Sequence, residues 1–233
     1  MRKFLAILLF FPLTAFGETE TNQVSVSYTD TSGNTDTKTL SISYSFEKDC
    51  QSLRFYSDGS YLYKTDSGEE TANKLTLNGR VEMNLSEKIL FYFSSFLYAD
   101  PFSGYDYRIG LGPGVGYQLI DGEDESLKLF SGFNYTYNNY TDGTVNSYSL
   151  WEAKLEYKNR LLEDLLFLQK LSYQISLEDG DDYFVHSETS FQVPVTEKLA
   201  LGLSYVLDYQ NLLPDDAEKH TDKTFLTSVI YRF

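Results

Sequence analysis

The run Tyr105-Asp106-Tyr107-Arg108-Ile109-Gly110-Leu111-Gly112-Pro113-Gly114-Val115-Gly116-Tyr117-Gln118-Leu119 separates at period two. Tyr105, Tyr107, Ile109, Leu111, Pro113, Val115, Tyr117 and Leu119 fall on one face, and Asp106, Arg108, Gly110, Gly112, Gly114, Gly116 and Gln118 on the other. Successive side chains of a strand point to opposite sides of the sheet, so a wholly apolar face needs an apolar medium beside it. A charged, glycine-rich face cannot line the core of a water-soluble domain. The apolar face is therefore expected to look outward into lipid, and the polar face inward. Tyr107 and Tyr117 stand ten residues apart. That is roughly 33 Å along a strand, and a tilt of about 40–45° projects it to about 25 Å, the height of an outer-membrane apolar band with an aromatic girdle at each edge. Pro113 removes a ladder hydrogen bond, which predicts a bulge there, eased by Gly112 and Gly114.

The alternation repeats along the chain. Leu75, Leu77, Val81 and Met83 oppose Lys74, Thr76, Asn78, Arg80 and Glu82; Leu199, Leu201, Leu203, Tyr205 and Leu207 oppose Ala200, Gly202, Ser204 and Asp208. About twelve strands are expected, centred near residues 22–30, 37–47, 51–63, 72–85, 88–98, 105–119, 126–138, 147–159, 165–177, 184–195, 198–210 and 221–233. An even number closes a barrel and leaves no free edge. The fold class is all-β: a closed antiparallel transmembrane β-barrel over residues 18–233. Leu161-Leu162-Glu163-Asp164-Leu165-Leu166, apolar on both faces, is read as a helical turn at the periplasmic rim, with strand boundaries unsettled over residues 159–168.

The two ends agree with this reading. Phe233, Tyr231 and Val229 share one face of the last segment, the terminal aromatic signature that outer-membrane assembly machinery reads. Met1-Arg2-Lys3, the apolar run Phe4 to Phe11 and Ala15-Phe16-Gly17 read as a signal peptide, residues 1–17, cleaved after Gly17. The expected location is the outer membrane, and the expected partners are outer-membrane lipid, lipopolysaccharide and the assembly machinery.

Charge narrows the function. Removing Arg2 and Lys3 from 19 basic residues leaves 17 against 34 acidic ones, a formal charge of −17 for the mature chain. That excludes a nucleic-acid partner, which requires a basic face. Cys50 is the single cysteine, so no internal disulfide forms. Mean hydropathy of −0.33 alongside 20 Tyr and 17 Phe suits alternating barrel strands, not membrane helices.

With both termini in the periplasm, the even-numbered connections face it and the odd-numbered ones face the exterior. The even ones are tight, as at Lys48-Asp49-Cys50, Ser86-Glu87-Lys88 and Thr196-Glu197-Lys198. The odd ones at Asp100–Gly104, Asn138–Asn146 and Asn211–His220 are longer and polar. The lumen-facing candidates are Arg54, Asp58, Lys74, Arg80, Glu82, Asp106, Arg108, Glu152, Lys154 and Glu188, with Lys128, Glu156, Lys170, Asp208 and Arg232. They form either a charged channel lining or a lumen network in which opposite charges cancel; the near balance of signs favours the network. Surplus acid sits in the connections. The densest cluster, Asp179-Gly180-Asp181-Asp182, lacks the ordered spacing of a calcium loop, so no metal site and no cofactor are expected. His186 and His220 are the two histidines, and no motif marks a nucleophile; the chain is not expected to be an enzyme.

Tyr28–Thr37, Asp66–Asn73, Asp100–Arg108 and Gly110–Ile120 together resemble a family of uncharacterised outer-membrane proteins labelled "salt-induced outer membrane protein", domain-of-unknown-function family 481. Ser32-Gly33-Asn34-Thr35 and Phe102-Ser103-Gly104-Tyr105-Asp106 are the most specific pieces. The resemblance implies an outer-membrane location and a tie to salt or osmotic conditions; it carries over no catalytic residue and no substrate. The pieces cluster at the expected exterior ends of the first six strands, where Asp36, Asp66, Glu69, Asp106 and Arg108 are read as a polar mouth. Three function classes follow: an envelope protein linked to salt or osmotic stress, with a mainly structural role; a narrow channel for ions or small polar solutes; and a surface binding module built on acidic outer loops.

Overall fold

In the computed structural model, which describes residues 19–31, 36–50, 52–214 and 219–233, the alternating segments become twelve strands. They are β1 (Thr19–Thr31), β2 (Thr37–Cys50), β3 (Leu53–Asp66), β4 (Glu69–Asn84), β5 (Ile89–Asp100), β6 (Tyr105–Asp121), β7 (Glu125–Tyr140), β8 (Val145–Leu162), β9 (Leu165–Ser176), β10 (Tyr183–Pro194), β11 (Leu199–Gln210) and β12 (Thr221–Arg232). Each pairs antiparallel with its neighbours in sequence, and β1 pairs with β12 to close the barrel. The expected leader, residues 1–17, lies outside the described residues. No helix among the described residues is long and apolar enough to cross a membrane; the crossing elements are strands.

The outer surface carries the apolar half of each alternation. Ile109, Leu111, Val115, Leu201, Leu203, Phe225 and Val229 are all exposed, which is stable only against lipid. Tyr107 stacks on Tyr137 towards one rim (ring centroids 6.1 Å apart), and Tyr231 stacks on Phe233 at the other (5.7 Å).

Several expectations are corrected. β6 keeps its register through Pro113: pairing with β7 lapses over Gly112 and Pro113 and resumes at Gly114↔Gly132 with no residue inserted. The proline's missing N–H is accommodated by two unpaired positions, and a Cβ on Gly112 would collide with the Phe133 carbonyl. The bulges lie instead at the two ends of β6, between Tyr105 and Tyr107 and between Gln118 and Ile120. The expected helical turn at Leu161–Leu166 is strand running to Leu162 and from Leu165, with a register shift between Arg160 and Leu162. The long exterior loop expected over Asn138–Asn146 shrinks, because β7 continues to Tyr140 and β8 begins at Val145.

The inward glycines do not leave open space. Rings from β5 and β7 lie on them: Phe96 over Gly110, Tyr92 over Gly114 and Gly132, and Leu90 with Phe130 over Gly116. Tyr92 and Phe130 meet edge to face, centroids 5.6 Å apart, and with Leu90 make an apolar cluster inside the barrel. Such an aromatic pair contributes about 0.5–1.5 kcal/mol beyond the area it buries.

The closing seam is short. β1 and β12 pair over five residues, Gln23–Ser27 with Ser228–Arg232, whereas β1 and β2 pair over thirteen. Beyond Ser27 and Ser228, towards the exterior, the ladder stops. There Lys64 of β3 reaches past β2 and β1 to donate a 2.7 Å hydrogen bond to Thr224 Oγ1 of β12.

Two outcomes follow. Amide exchange at Tyr28–Thr31 and Thr224–Thr227 should be faster than at Gln23–Ser27, and equal protection would contradict a half-fastened seam. Gly114→Ala should cost about 1–3 kcal/mol by driving a methyl into the Tyr92 ring, read as an earlier urea midpoint followed by fluorescence of Trp151.

Candidate functional site: the bridged lumen and its outer mouth

Period two sends Lys74, Arg80 and Glu82 of β4 into the lumen with Asp58 of β3, Glu152, Lys154 and Glu156 of β8, and Asp208 of β11. Lys74, Arg80, Glu156 and Asp208 find partners across the barrel; Asp58, Glu82, Glu152 and Lys154 pair with residues of their own or the adjacent strand. Lys74 Nζ lies 2.5 Å from Asp208 Oδ2, five strands away around the wall, and Asp208 Oδ1 is 2.6 Å from His186 Nδ1. Arg80 forks onto Glu156 at 2.8 and 3.1 Å, four strands away, and its Nε is 2.7 Å from Glu82. Its guanidinium also covers the rings of Phe130 (4.3 Å) and Tyr56 (4.9 Å). Lys170 of β9 donates to Tyr56 Oη at 3.4 Å from six strands away, the opposite wall.

These contacts fix the cross-section. Twelve strands about 4.8 Å apart and tilted by about 45° would make a circular barrel roughly 26 Å across between backbones. A lysine–aspartate pair spans only on the order of 12 Å between Cα atoms. The lumen is therefore oval, with β3 and β4 drawn towards β8–β11.

The remaining candidates sit as follows. Arg54 is held at the rim that carries the two chain termini by Asp49 (2.5 Å) and Glu47 (3.3 Å). Asp58 accepts from Asn78 at 2.8 Å. Glu152, 1% exposed, pairs with Lys154 (2.8 Å) and accepts from Gln174 (2.5 Å). Glu188 accepts from Ser190 Oγ at 3.3 Å.

Asp106 and Arg108, expected on one face, are parted by the bulge. Tyr105 and Arg108 both turn inward and are buried, while Asp106 is exposed. The expected mouth of Asp36, Asp66, Glu69, Asp106 and Arg108 is thus not one cluster: the four acids are exposed and Arg108 is 4% exposed inside the wall. Arg108 donates to Asn138 Oδ1 at 2.9 Å, and its guanidinium lies over the rings of Phe184 (4.0 Å) and Tyr105 (4.9 Å).

A different mouth exists around Tyr105. A cleft of ≈ 220 Å³ opens there, walled by Tyr105 and Tyr140, with Asp142 and Asp182 as acceptors and Leu213 and Pro214 as an apolar side. Tyr105 Oη accepts from Gln210 Nε2 at 2.9 Å, and Gln210 also donates to the Leu212 carbonyl at 2.7 Å, which pins that side. Thr144 donates to Asp142 Oδ1 from both its hydroxyl and its amide, at 2.7 Å each, and holds this carboxyl below its ordinary value. Burial pushes the Asp182 carboxyl up, against the pull of Tyr148 and Arg108. Sequence reasoning missed this site because Tyr105 was placed on the lipid face; the one local signal was the turn-forming Pro101 and Gly104 just ahead of it. Among the described residues no three His, Cys, Asp or Glu side chains converge as metal ligands.

Residues 24–233 match the family described as "Protein of unknown function, DUF481". The chain is 25% identical over 167 residues to "Uncharacterized protein YdiY" of Escherichia coli K12, covering 72% of this chain and 65% of that one, just under two thirds of the relative's length. The fold is similar to the NanC porin (TM-score 0.55, 9% identity, 91% of this chain and 98% of that one). It is also similar to an outer membrane channel from Pseudomonas putida F1 (TM-score 0.52, 12% identity, 92% and 94%). At these identities the likeness is one of fold, that of outer-membrane β-barrels.

Arg80→Ala should be the most damaging single change in the lumen. It leaves the buried Glu82 and the half-buried Glu156 without their shared cation, a cost of about 3–5 kcal/mol. Arg80→Lys, which keeps charge but loses the fork, should cost less. Urea unfolding followed at Trp151 checks both, and equal stability of Arg80→Ala and the parent would refute the assignment.

Proposed function

The chain belongs to the DUF481 family of proteins of unknown function, and on that premise we propose that it is an outer-membrane barrel whose oval lumen is a narrow polar path for ions or small polar solutes. The observation that carries this reading is the set of cross-lumen bridges, Lys74–Asp208 and Arg80–Glu156, inside a lumen lined by charge. A wall drawn together by ion pairs leaves passages only beside them, so the path is narrow and its conductance low. The likeness in fold to a porin and a channel supports the same reading. The lipid-facing band supports residence in the outer membrane, with lipid and lipopolysaccharide against it and the outward Val229, Tyr231 and Phe233 presented to the assembly machinery.

A second reading is a structural envelope protein active under salt or osmotic stress. The packing of Phe96, Tyr92, Leu90 and Phe130 onto the glycine track favours it, because it consolidates the wall without serving a passage.

Single-channel recording in a planar bilayer decides between them, on protein whose folding is verified by heat-sensitive gel mobility. The parent should give small discrete steps. A Lys74→Met/Asp208→Leu double variant, which removes both charges of one bridge, should enlarge them at least about twofold. Silence from both folded proteins would overturn the channel and leave the structural reading.

A further inference from the structure

The lipid-facing side of β9 and β10 carries a polar island. Parity sets Gln169 outward with the exposed Leu171, and Ser187 and Thr189 outward with the exposed Phe191. Gln169 Nε2 donates to Ser187 Oγ at 3.1 Å and to the Lys170 carbonyl at 3.0 Å. Thr189 Oγ1 donates to Gln169 Oε1 at 2.6 Å. Ser187 Oγ accepts its bond but, among the described residues, donates to no acceptor, so one hydroxyl proton is left over. The outward side chains around the island, Phe167, Leu171, Val185, Phe191, Leu203 and Leu207, have no polar atom to offer it.

A second unmet group stands one strand away. Tyr205 of β11 lies opposite Thr189 in the ladder and is 41% exposed on the lipid side. Its hydroxyl has no hydrogen-bond partner among the described residues. Tyrosines of a barrel wall gather in the two girdles, where the hydroxyl meets water and headgroups, but Tyr205 is not placed there. Leu199, which pairs with Tyr231 at one rim, comes six residues before it, and Tyr209, stacked on His220, comes four after. At about 3.3 Å per residue and a tilt of about 45°, those steps are roughly 14 Å and 9 Å along the membrane normal. The phenol therefore sits deep in the apolar band.

Acyl chains answer neither group, since they hold no hydrogen-bonding atom. The two groups answer each other: a phenol oxygen accepts the Ser187 proton, and a phenol O–H donates to the free lone pairs of Thr189 Oγ1. Within one copy they are not bonded. Between two copies they meet, because barrels inserted in the same sense are related by a two-fold axis along the bilayer normal. An axis beside β10 sets β11 of each copy opposite β9 of the other, at equal depth, and every contact is made twice. We propose that the chain forms a homodimer in the membrane through the outer face of β9–β11, with the Tyr205 hydroxyl of each copy seated on Ser187 and Thr189 of the other. The free donor and acceptors of the island match a group that this same face carries, which is what selects a second copy as the occupant.

Energy transfer between copies tests this in a bilayer and requires no conduction. Protein carrying donor or acceptor dye on its single cysteine, Cys50, is refolded into phosphatidylcholine vesicles and diluted with lipid. The parent should show transfer above the random-proximity level, half lost at a definite protein-to-lipid ratio. Tyr205→Phe and Ser187→Ala, which remove one hydroxyl each, should each raise that ratio roughly tenfold. Phe93→Leu, on the lipid face of β5 across the barrel, should leave it unchanged. The two hydroxyl deletions lie on different strands, so one that fails the gel-mobility test leaves the other to decide. In a Cys50→Ser background, Ser187→Cys copies lie beside the axis and should crosslink to one another in membranes of the expressing cell. Random-level transfer from the parent, or a dimer indifferent to both folded deletions, would overturn the proposal. A crosslink to a protein of different mass would overturn it in favour of another membrane partner.

Discussion

Arg80 is the residue around which the inside of this barrel is organised. Its guanidinium lies between Glu82 on its own strand and Glu156 four strands away, with aromatic rings of Tyr56 and Phe130 against its faces. A planar cation with five donors can satisfy two carboxylates and still present π surfaces, which an ammonium cannot do. The Lys74–Asp208 pair, nearer the exterior, repeats the crossing at another level. Twelve strands left to themselves enclose more width than side chains can fill. The ion pairs convert that width into a flattened section, and the sparing use of bulk elsewhere depends on it.

The flattening is not even around the wall. On the side of β5, β6 and β7 the inward positions are buried: glycines roofed by Tyr92, Leu90, Phe130 and Phe96, with Asn134, Thr136 and Asn138 beside them. On the side of β2–β4 and β8–β10 the inward side chains are mostly half-buried, with Lys74, Glu156 and His186 partly exposed. The glycines of β6 are where β5 and β7 place Phe96, Tyr92, Leu90 and Phe130. The charged half of the lumen is the half whose side chains are partly exposed.

Most of the fold was legible from period-two alternation, because a strand between lipid and a polar lumen leaves no ambiguity about which face is which. Parity failed where a single residue was inserted. The bulge beside Asp106 turned Tyr105 inward and Asp106 outward, and no side-chain pattern signals one extra residue at a strand end. Leu161 to Leu166 was misread for a related reason: apolar residues on both faces look helical, yet a tight hairpin with a shifted register exposes both Leu161 and Leu162. The lumen charges were legible as a set but not as pairs. Lys74 and Asp208 are 134 positions apart and meet only because the section is oval, a property of the whole wall that no local window contains.

The half-fastened seam gives this tube the mechanics of a cuff that is buttoned at one end. At the periplasmic end the hydrogen-bonded ladder between β1 and β12 sets the girth, and it can change only by breaking backbone bonds. At the other end, among the described residues, the ladder between β1 and β12 has stopped and the Lys64–Thr224 hydrogen bond spans from β3 to β12. The backbone hydrogen bonds that resist lateral tension across this seam are therefore concentrated at the end of the barrel that holds the two chain termini.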